Sequence, residues 1–453
     1  RIAGKLARMV AKDLFSIGAR FDNPYSKAKI AEQFLIDNGF KEVIHPLLSS
    51  PHARLFLEVA NTAYHGGWFE NSGVGWLNNV RSYDLVSAYP AVMTHLPSLA
   101  VGRELNGTIK HGHGAKGWNE YLNIFREENE MAFVEVSFKY TAGEWYPTCD
   151  FDAEICGLVS PRRIHKWMTV YEYLEAMKWP MDRQPIIQRW TYHKPKDKSS
   201  YPFRETLEIL FGLKGKHEKG SREYMMAKIL MNSLYGKTIQ GRKVTYDHMG
   251  NLYNPAFAAT ITGFVRAQIA ECIRYAQDAG GKVLEVATDG ISIQGLPKGW
   301  VPPTTSLPNK GNLGNWEIDS EGPEILIMTG GVKSIGPLSD PNPPKGSIVT
   351  TTRGDTAYNA LQTCGGGGVS SWLDLCIKNK DETSISGMTP ERPKSGKMAI
   401  AHGKPEQTNE FLSNNWKLPC VPTSRKRLMP TSPTVFGDLA SDWFARNPHE
   451  TKW

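Results

Sequence analysis

Residues 282–294 read Lys-Val-Leu-Glu-Val-Ala-Thr-Asp-Gly-Ile-Ser-Ile-Gln. Two runs rich in β-branched residues flank Asp289-Gly290, and an Asp-Gly pair between such runs is a strong short-range signal for a β-hairpin. A hairpin commits this part of the chain to antiparallel pairing and places the Asp289 carboxylate at its tip. The segment before it, 258–278, carries Ile261, Phe264, Val265, Ile269, Cys272 and Ile273 along one side of a helix that ends at Gly280-Gly281. An aspartate at such a tip serves either the turn itself or a cation.

A second stretch, Lys228-Ile229-Leu230-Met231-Asn232-Ser233-Leu234-Tyr235-Gly236, fits a helix over 221–235. At about 100° per residue, Ser221, Tyr224, Lys228, Asn232 and Tyr235 share one narrow face. Met226, Ala227, Ile229, Leu230 and Leu234 spread over the other side, and Gly236 reads as the stop. A cation ahead of an aromatic suits a ligand that carries phosphates and a flat base. The same letters also describe an amphipathic helix with a lysine stem laid along its apolar flank.

The 453 residues leave room for two to four subdomains. The net charge of +7 is modest, but the basic residues cluster: Lys194, Lys196 and Lys198; Lys214, Lys216, Lys219 and Arg222; Arg425, Lys426 and Arg427. Such clusters suit a polyanion, although a solvated charged face has the same composition. The six cysteines (Cys149, Cys156, Cys272, Cys364, Cys376 and Cys420) form no CxxC pair and read as free thiols in a reducing compartment. No run reaches the roughly 18 apolar residues of a membrane span, which argues against a membrane partner. The chain opens on Arg1 with no signal-peptide pattern, as a fragment or processed product would.

Residues 1–18 and 27–37 have helical periodicity, the second with Asn38-Gly39 as its cap. Tyr64-His65-Gly66-Gly67-Trp68 sets paired glycines beside an aromatic, as a turn or a close backbone approach to a ligand requires. Residues 80–90 begin as a strand, with Asp84 at its end and Pro90 closing the turn. Residues 132–140 alternate as a strand, 169–178 read as a helix, and Asp152-Ala153-Glu154 as a surface loop. Beyond 300 prolines and glycines are dense. Short strands are expected at 313–319 and 324–328, a boundary near 336, a helix near 370–378, and a polar, partly disordered stretch over 383–433.

Two aspartates from separate strands, Asp84 and Asp289, can hold a pair of divalent metals for in-line displacement at phosphorus. A nearby lysine then serves the leaving phosphates. At this point the motifs fall into the order of one family. Asp84-Leu85-Val86-Ser87-Ala88-Tyr89-Pro90 resembles the DxxSLYP motif of family B DNA polymerases, and 228–236 matches their KxxxNSLYG motif. Ala287-Thr288-Asp289-Gly290 resembles their DTDS hairpin. Tyr64 to Gly67 is similar to the YxGG element, especially that of the protein-primed branch. Leu313-Gly314-Asn315-Trp316-Glu317 and Lys333 resemble the later LGxW and KxY elements.

The resemblance implies an α+β fold: a polymerase right hand with an antiparallel-sheet palm, helical fingers and a small thumb. Residues 1–63 would be a connector, 64–200 palm with an insertion, 201–257 fingers, 258–336 palm, and 337–453 thumb and C-terminal region. It implies DNA synthesis from dNTPs on a DNA template and primer, with a terminal priming protein as partner. Asp84, Leu85 (through its carbonyl) and Asp289 would hold Mg2+, with Mn2+ as substitute. Ser87, Tyr89, Lys228, Asn232, Tyr235 and Gly236 would bind the nucleotide, Tyr89 under its sugar. Tyr64, Gly66, Gly67, Thr288 and Lys333 would meet DNA. The site of action would be the host cytoplasm of a phage or mobile element, or a mitochondrion for a linear plasmid.

The chain departs from the pattern at Ala287, where the hairpin's first aspartate is expected, at Gly290 for a serine, at Ala88 for a leucine, and at Ile335 for the KxY tyrosine. No exonuclease domain fits into the 63 residues before Tyr64, so proofreading is not expected. The Gly236–Asp289 interval is short, so strong strand displacement is not expected either. Two other readings stay open. Ala287 fits a degenerate polymerase fold that grips DNA without chemistry. A primase-like, RNA-synthesising enzyme is the other, and Tyr89 opposes it.

Overall fold

The computed structural model describes residues 27–40, 50–71, 75–99, 131–139, 163–180, 184–194, 200–240, 250–305, 307, 311–329 and most of 332–351, with short strands at 108–113, 150–152, 157–159, 384–390 and 413–419. In chain order the elements are α1 (Lys27–Asp37), α2 (Pro51–Ala63), β1 (Phe69–Asn71), β2 (Gly75–Leu85), α3 (Ala88–Met93), β3 (Thr108–His113), β4 (Met131–Lys139), β5 (Asp150–Asp152), β6 (Gly157–Val159), β7 (Arg163–Thr169), α4 (Val170–Ala176) and β8 (Ile186–Lys194). There follow α5 (Arg204–Lys216), α6 (Arg222–Thr238), α7 (Pro255–Asp278), β9 (Lys282–Ala287), β10 (Gly290–Gln294), β11 (Trp316–Thr329), β12 (Val332–Gly336), β13 (Val349–Thr351), β14 (Ser384–Pro390) and β15 (Ser413–Pro419). The expected helices at 1–18 and 370–378, Ala153, Glu154, Arg425 to Arg427 and every cysteine but Cys272 lie outside the described residues.

A seven-stranded antiparallel sheet, in the order β1-β9-β10-β2-β11-β12-β13, carries the centre of the molecule. The last described helix, α7, organises what surrounds it. It is apolar on nearly every side, as a helix buried all round must be. Its C-terminal half packs Ile269, Cys272, Ile273 and Ala276 onto Tyr83, Val286, Ile291 and Ile293 of the sheet. Its N-terminal half joins a helical core with Phe34 and Leu35 of α1, Phe56 of α2, Leu207 and Leu210 of α5, and Leu230, Met231 and Leu234 of α6. Each such side chain stabilises the fold by about 1.5–3 kcal/mol relative to exposure. A second antiparallel sheet, β3-β8-β4-β7, packs Val134, Val136 and Met168 against Tyr173 of α4. Among the described residues no helix is long and apolar enough to cross a membrane.

Four local expectations need correction. Gly236 does not stop α6, which runs to Thr238 because Lys237 pairs with buried Glu32 at 2.7 Å and Thr238 is buried. The hairpin turn is Thr288-Asp289, and Gly290 is already the first residue of β10. Pro90 closes no turn but lies inside α3. The two strands expected over 313–328 are one, β11, with a bulge between Ile318 and Ser320. A Cβ on Gly322, between the two expected strands, would come 2.9 Å from the Gly336 backbone. The glycine is there for close strand packing, and the exposed Pro323 interrupts nothing. The expected cap of α1 is present: Gly39 has φ +92, and Phe40 N–H donates to Leu35 O at 3.2 Å.

Asn254 caps α7, its Oδ1 accepting from Ala256 N at 3.1 Å and Phe257 N at 3.2 Å in a buried setting. Asn254→Ala should therefore cost about 1–2 kcal/mol of stability in urea denaturation. An unchanged midpoint would remove this cap from the forces that hold the helix.

Candidate active site

Asp84 lies at the end of β2, and the register sets Gly290 of β10 directly opposite it. A Cβ on Gly290 would stand 3.2 Å from Asp84 Oδ1, so the glycine makes room for that carboxylate rather than for a turn. Asp289, the next residue back, is tied to the same place: its carbonyl accepts from Leu85 N–H at 3.0 Å. Two half-buried carboxylates thus stand side by side at the ends of neighbouring strands.

The backbone around them is strained. Thr288 has φ +63, and Asp289 N–H donates to Ala287 O at 2.9 Å across it, a γ-turn of the rare positive-φ kind. Ser87 is left-handed at φ 50, ψ 51. Neither residue is glycine, and such conformations persist only where neighbours enforce them. Here the neighbours are clear. Thr288 N–H donates to Trp68 O at 2.8 Å, and Val86 is held on both sides by Asn315 O (3.0 Å) and Gly314 N–H (2.7 Å).

The electrostatics follow from the crowding. Burial, then the charges of Asp289, Asp319 and Glu317, push the Asp84 carboxyl up to about 8, while Lys333 pulls it back. Burial and Asp319 push Asp289 up to about 6, against its own backbone hydrogen bond and Lys228. Two oxygen-bearing groups that resist ionisation together fit a hard divalent cation, which would relieve the repulsion. Among the described residues no group of three or more His, Cys, Asp or Glu stands together for a metal.

Above the pair lie two lysines. Lys228 is exposed on α6 and acts on Asp289 through its charge. Lys214, in the last turn of α5, donates to Ser87 Oγ at 3.2 Å and lies 5.6 Å from the Tyr224 ring centroid. Burial and then Lys228 lower its pKa, while Glu317 and Asp84 raise it. In sequence Lys214 belongs to a basic cluster that suits a polyanion, and nothing local signals that α5 and α6 fold it back over Ser87.

Three tyrosines complete the site. The Tyr89 and Tyr235 rings lie 4.3 Å apart, and Tyr235 and Tyr64 share a hydrogen bond of 2.8 Å. A Cβ on Gly67 would lie 2.8 Å from Thr288 Cγ2 and 3.1 Å from the Tyr89 hydroxyl, so only glycine lets this turn close on both. The fold thus brings Asp84, Leu85, Ser87, Tyr89, Tyr64, Gly66, Gly67, Thr288, Asp289, Lys228 and Tyr235 into one neighbourhood. Asn232 is exposed on the same α6 face, and Gly236 is exposed one turn on. Lys333 does not join them at a DNA-facing surface. It is buried, donating to Ser292 Oγ at 2.7 Å and Ser82 Oγ at 3.3 Å, and paired with Glu285 at 3.0 Å. Glu285, two residues before Ala287, draws it into the sheet.

Comparison with known proteins finds similarity in both sequence and fold. Residues 38–244 match the family described as DNA polymerase type B, organellar and viral. The primer-independent DNA polymerase PolB of Escherichia coli is 28% identical over 271 residues, which span 56% of this chain and 30% of that protein. The phi29 DNA polymerase, solved with primer-template DNA and incoming nucleotide substrates, superposes at a TM-score of 0.56 and 13% identity over 90% of this chain and 69% of that one. Another phi29 polymerase structure, the orthorhombic crystal form, gives 0.51 and 16% over 73% and 61%. The chain thus spans under a third of the E. coli polymerase and about three fifths to two thirds of the phi29 enzyme. Its fold is that of a polymerase. Over residues 38–244 the chain is thus similar in sequence to the organellar and viral type B DNA polymerases, and its fold is similar to that of the phi29 enzyme.

The raised carboxyl values set a pH dependence. Above about pH 4 the unfolded chain releases the Asp84 proton that the folded protein keeps, so stability falls from there up to about pH 8. Without divalent ions, Asp84→Asn should melt a few degrees above the unmodified protein at pH 8 and show no such gain at pH 4. Parallel melting curves across that range would show that the two carboxylates do not strain each other.

Proposed function

We propose that this chain performs template-directed DNA synthesis from deoxynucleoside triphosphates. The observation that carries the reading is the register of Gly290 with Asp84, which sets two carboxylates side by side below two lysines. Asp84 and Asp289, with the Leu85 carbonyl, would hold divalent cations, Mg2+ with Mn2+ as substitute. When bound, such ions polarise the triphosphate and stabilise the charge of an in-line displacement. Lys228 and Lys214 neutralise the leaving phosphates, and Ser87, held by Lys214, presents its hydroxyl to them. Tyr89 lies under the sugar, where a 2′-hydroxyl would collide with its ring. Tyr235, braced by Tyr64, floors the nascent base pair beside Asn232 and Gly236. Gly66, Gly67 and Thr288 line the path of template and primer.

In this reading the seven-stranded sheet with α7 is the palm, α5 and α6 are the fingers, and the residues after 336, apart from β13 at the edge of the palm sheet, form the thumb and C-terminal region. The partners are DNA and dNTPs, in the host cytoplasm of a phage or mobile element. Initiation uses a terminal priming protein, as the YxGG element of the protein-primed branch supports. The name of the E. coli relative favours a second mode, initiation with no primer supplied. Ala287 favours a second function, a fold that binds DNA with weakened chemistry.

A primer-extension assay with Mg2+ or Mn2+ separates these functions directly. Asp289→Asn should lower extension at least ~1,000-fold, as loss of a charge-stabilising group does, while DNA binding stays within a factor of two or so. Extension at the unmodified rate would take Asp289 out of the chemistry. Tyr89→Val should raise ribonucleotide use about tenfold or more relative to dNTP, since the steric block is gone. A ratio that stays put would mean that Tyr89 is not the sugar gate.

A further inference from the structure

Arg266 lies in the middle of α7, and its side chain is 3% exposed. One terminal nitrogen donates to two successive backbone carbonyls of the glycine turn, His65 O and Gly66 O, each at 2.7 Å. Its Nε donates to Glu172 Oε1 at 2.9 Å. Glu172 is itself locked by the α4 capping box: its other oxygen accepts from Thr169 N–H at 3.2 Å and from Thr169 Oγ1 at 2.8 Å. Gly263, one turn before Arg266, lets α7 come this close, because a Cβ there would stand 2.4 Å from Thr169 Oγ1. Lys166 holds the same turn from the second sheet, 2.6 Å from His65 Nε2.

A buried ion pair is not an efficient way to stabilise a core, since apolar residues of equal volume often do as well. What apolar residues cannot do is fix two carbonyls in space. A guanidinium donates from a rigid planar fork, so its direction is set once Glu172 has oriented it. The turn it holds ends in Gly67, which abuts Thr288 and the Tyr89 hydroxyl. The Arg266 charge is also felt by both Tyr89 and Tyr235, where it opposes the effect of burial on the two phenols.

We infer that Arg266, oriented by Glu172, is a positioning residue that sets the Tyr89 ring through the His65–Gly67 turn, and so governs discrimination at the nucleotide sugar. The inference rests on the polymerase reading above and deepens it. Arg266 touches no substrate. Its effect passes through the turn to the ring.

The test is single-nucleotide incorporation by Arg266→Lys, with dNTP and NTP compared and melting followed in parallel. The lysine keeps the charge but cannot hold Glu172 and two carbonyls together. Sugar discrimination should fall and the KM for dNTP rise, each about tenfold, with kcat changed less, as for lost ground-state positioning. In a Tyr89→Val background the substitution should leave discrimination where Tyr89→Val alone puts it. A folded Arg266→Lys protein with the original discrimination and KM overturns the inference. If that variant does not fold, Gly67→Ala replaces it. It leaves the Arg266 bonds in place and crowds Tyr89 and Thr288 from the same turn, so unchanged discrimination there overturns the inference equally. Unmodified protein that incorporates neither nucleotide sinks the polymerase reading, and this one with it.

Discussion

Two like charges are held together by a glycine. The register of β10 on β2 brings Gly290 against Asp84, and the missing Cβ is what allows the carboxylate to lie over the neighbouring strand beside Asp289. The arrangement opposes folding. It keeps two acids half-buried, and Thr288 and Ser87 take conformations that residues with a Cβ avoid. Perturbed acids and strained backbone collect at functional sites because only chemistry repays them. The surrounding structure has to hold this shape against its own preference. It does so with hydrogen bonds from Trp68, Leu85 and the Gly314-Asn315 pair, drawn from three separate segments.

That requirement explains the long apolar helix. A site strained at several points needs a rigid support, and α7 gives it one by joining both hydrophobic cores. One half of the helix fixes the sheet that carries Asp84 and Asp289. The other fixes the helices that carry Lys214 and Lys228. The polar residue buried between them, Arg266, is bonded outward to the glycine turn rather than inward to the core. The helix thus sets the spacing between the carboxylates below and the lysines above, which any phosphate-bearing ligand would have to match.

The parts of this arrangement that could be read from sequence are those whose cause is local. The hairpin of β9 and β10, the alternation of β4 and the apolar run of α7 follow from propensity and period within a few residues. The same local logic misplaced the hairpin turn by one residue and stopped α6 too early. Gly290 answers to Asp84 some 200 positions away in the chain, and Gly236 is carried in the helix because Lys237 meets Glu32 of α1. Lys214 and Arg266 had no local mark at all. Their roles arise from Ser87, Glu172 and the His65–Gly66 carbonyls, partners that only the tertiary fold supplies.

Lys333 gives the sharpest case, because its motif was legible and its environment was not. A lysine in that position of the sequence pattern is expected to face a nucleic acid. Here Glu285 occupies the inward side of β9 and takes the ammonium into the sheet, with Ser82 and Ser292 completing its bonds. Its charge still reaches Asp84, whose ionisation it favours. With Ala287 in place of a third acid, the cleft has one negative charge fewer to hold apart, and the cation beneath the sheet is already neutralised by a neighbour. The two carboxylates therefore feel burial first, with the nearby Asp319 and, at Asp84, Glu317 adding to it, while Lys333 at Asp84 and Lys228 at Asp289 oppose it. A motif names the residue, but which side of a strand offers it a partner decides what its charge acts upon.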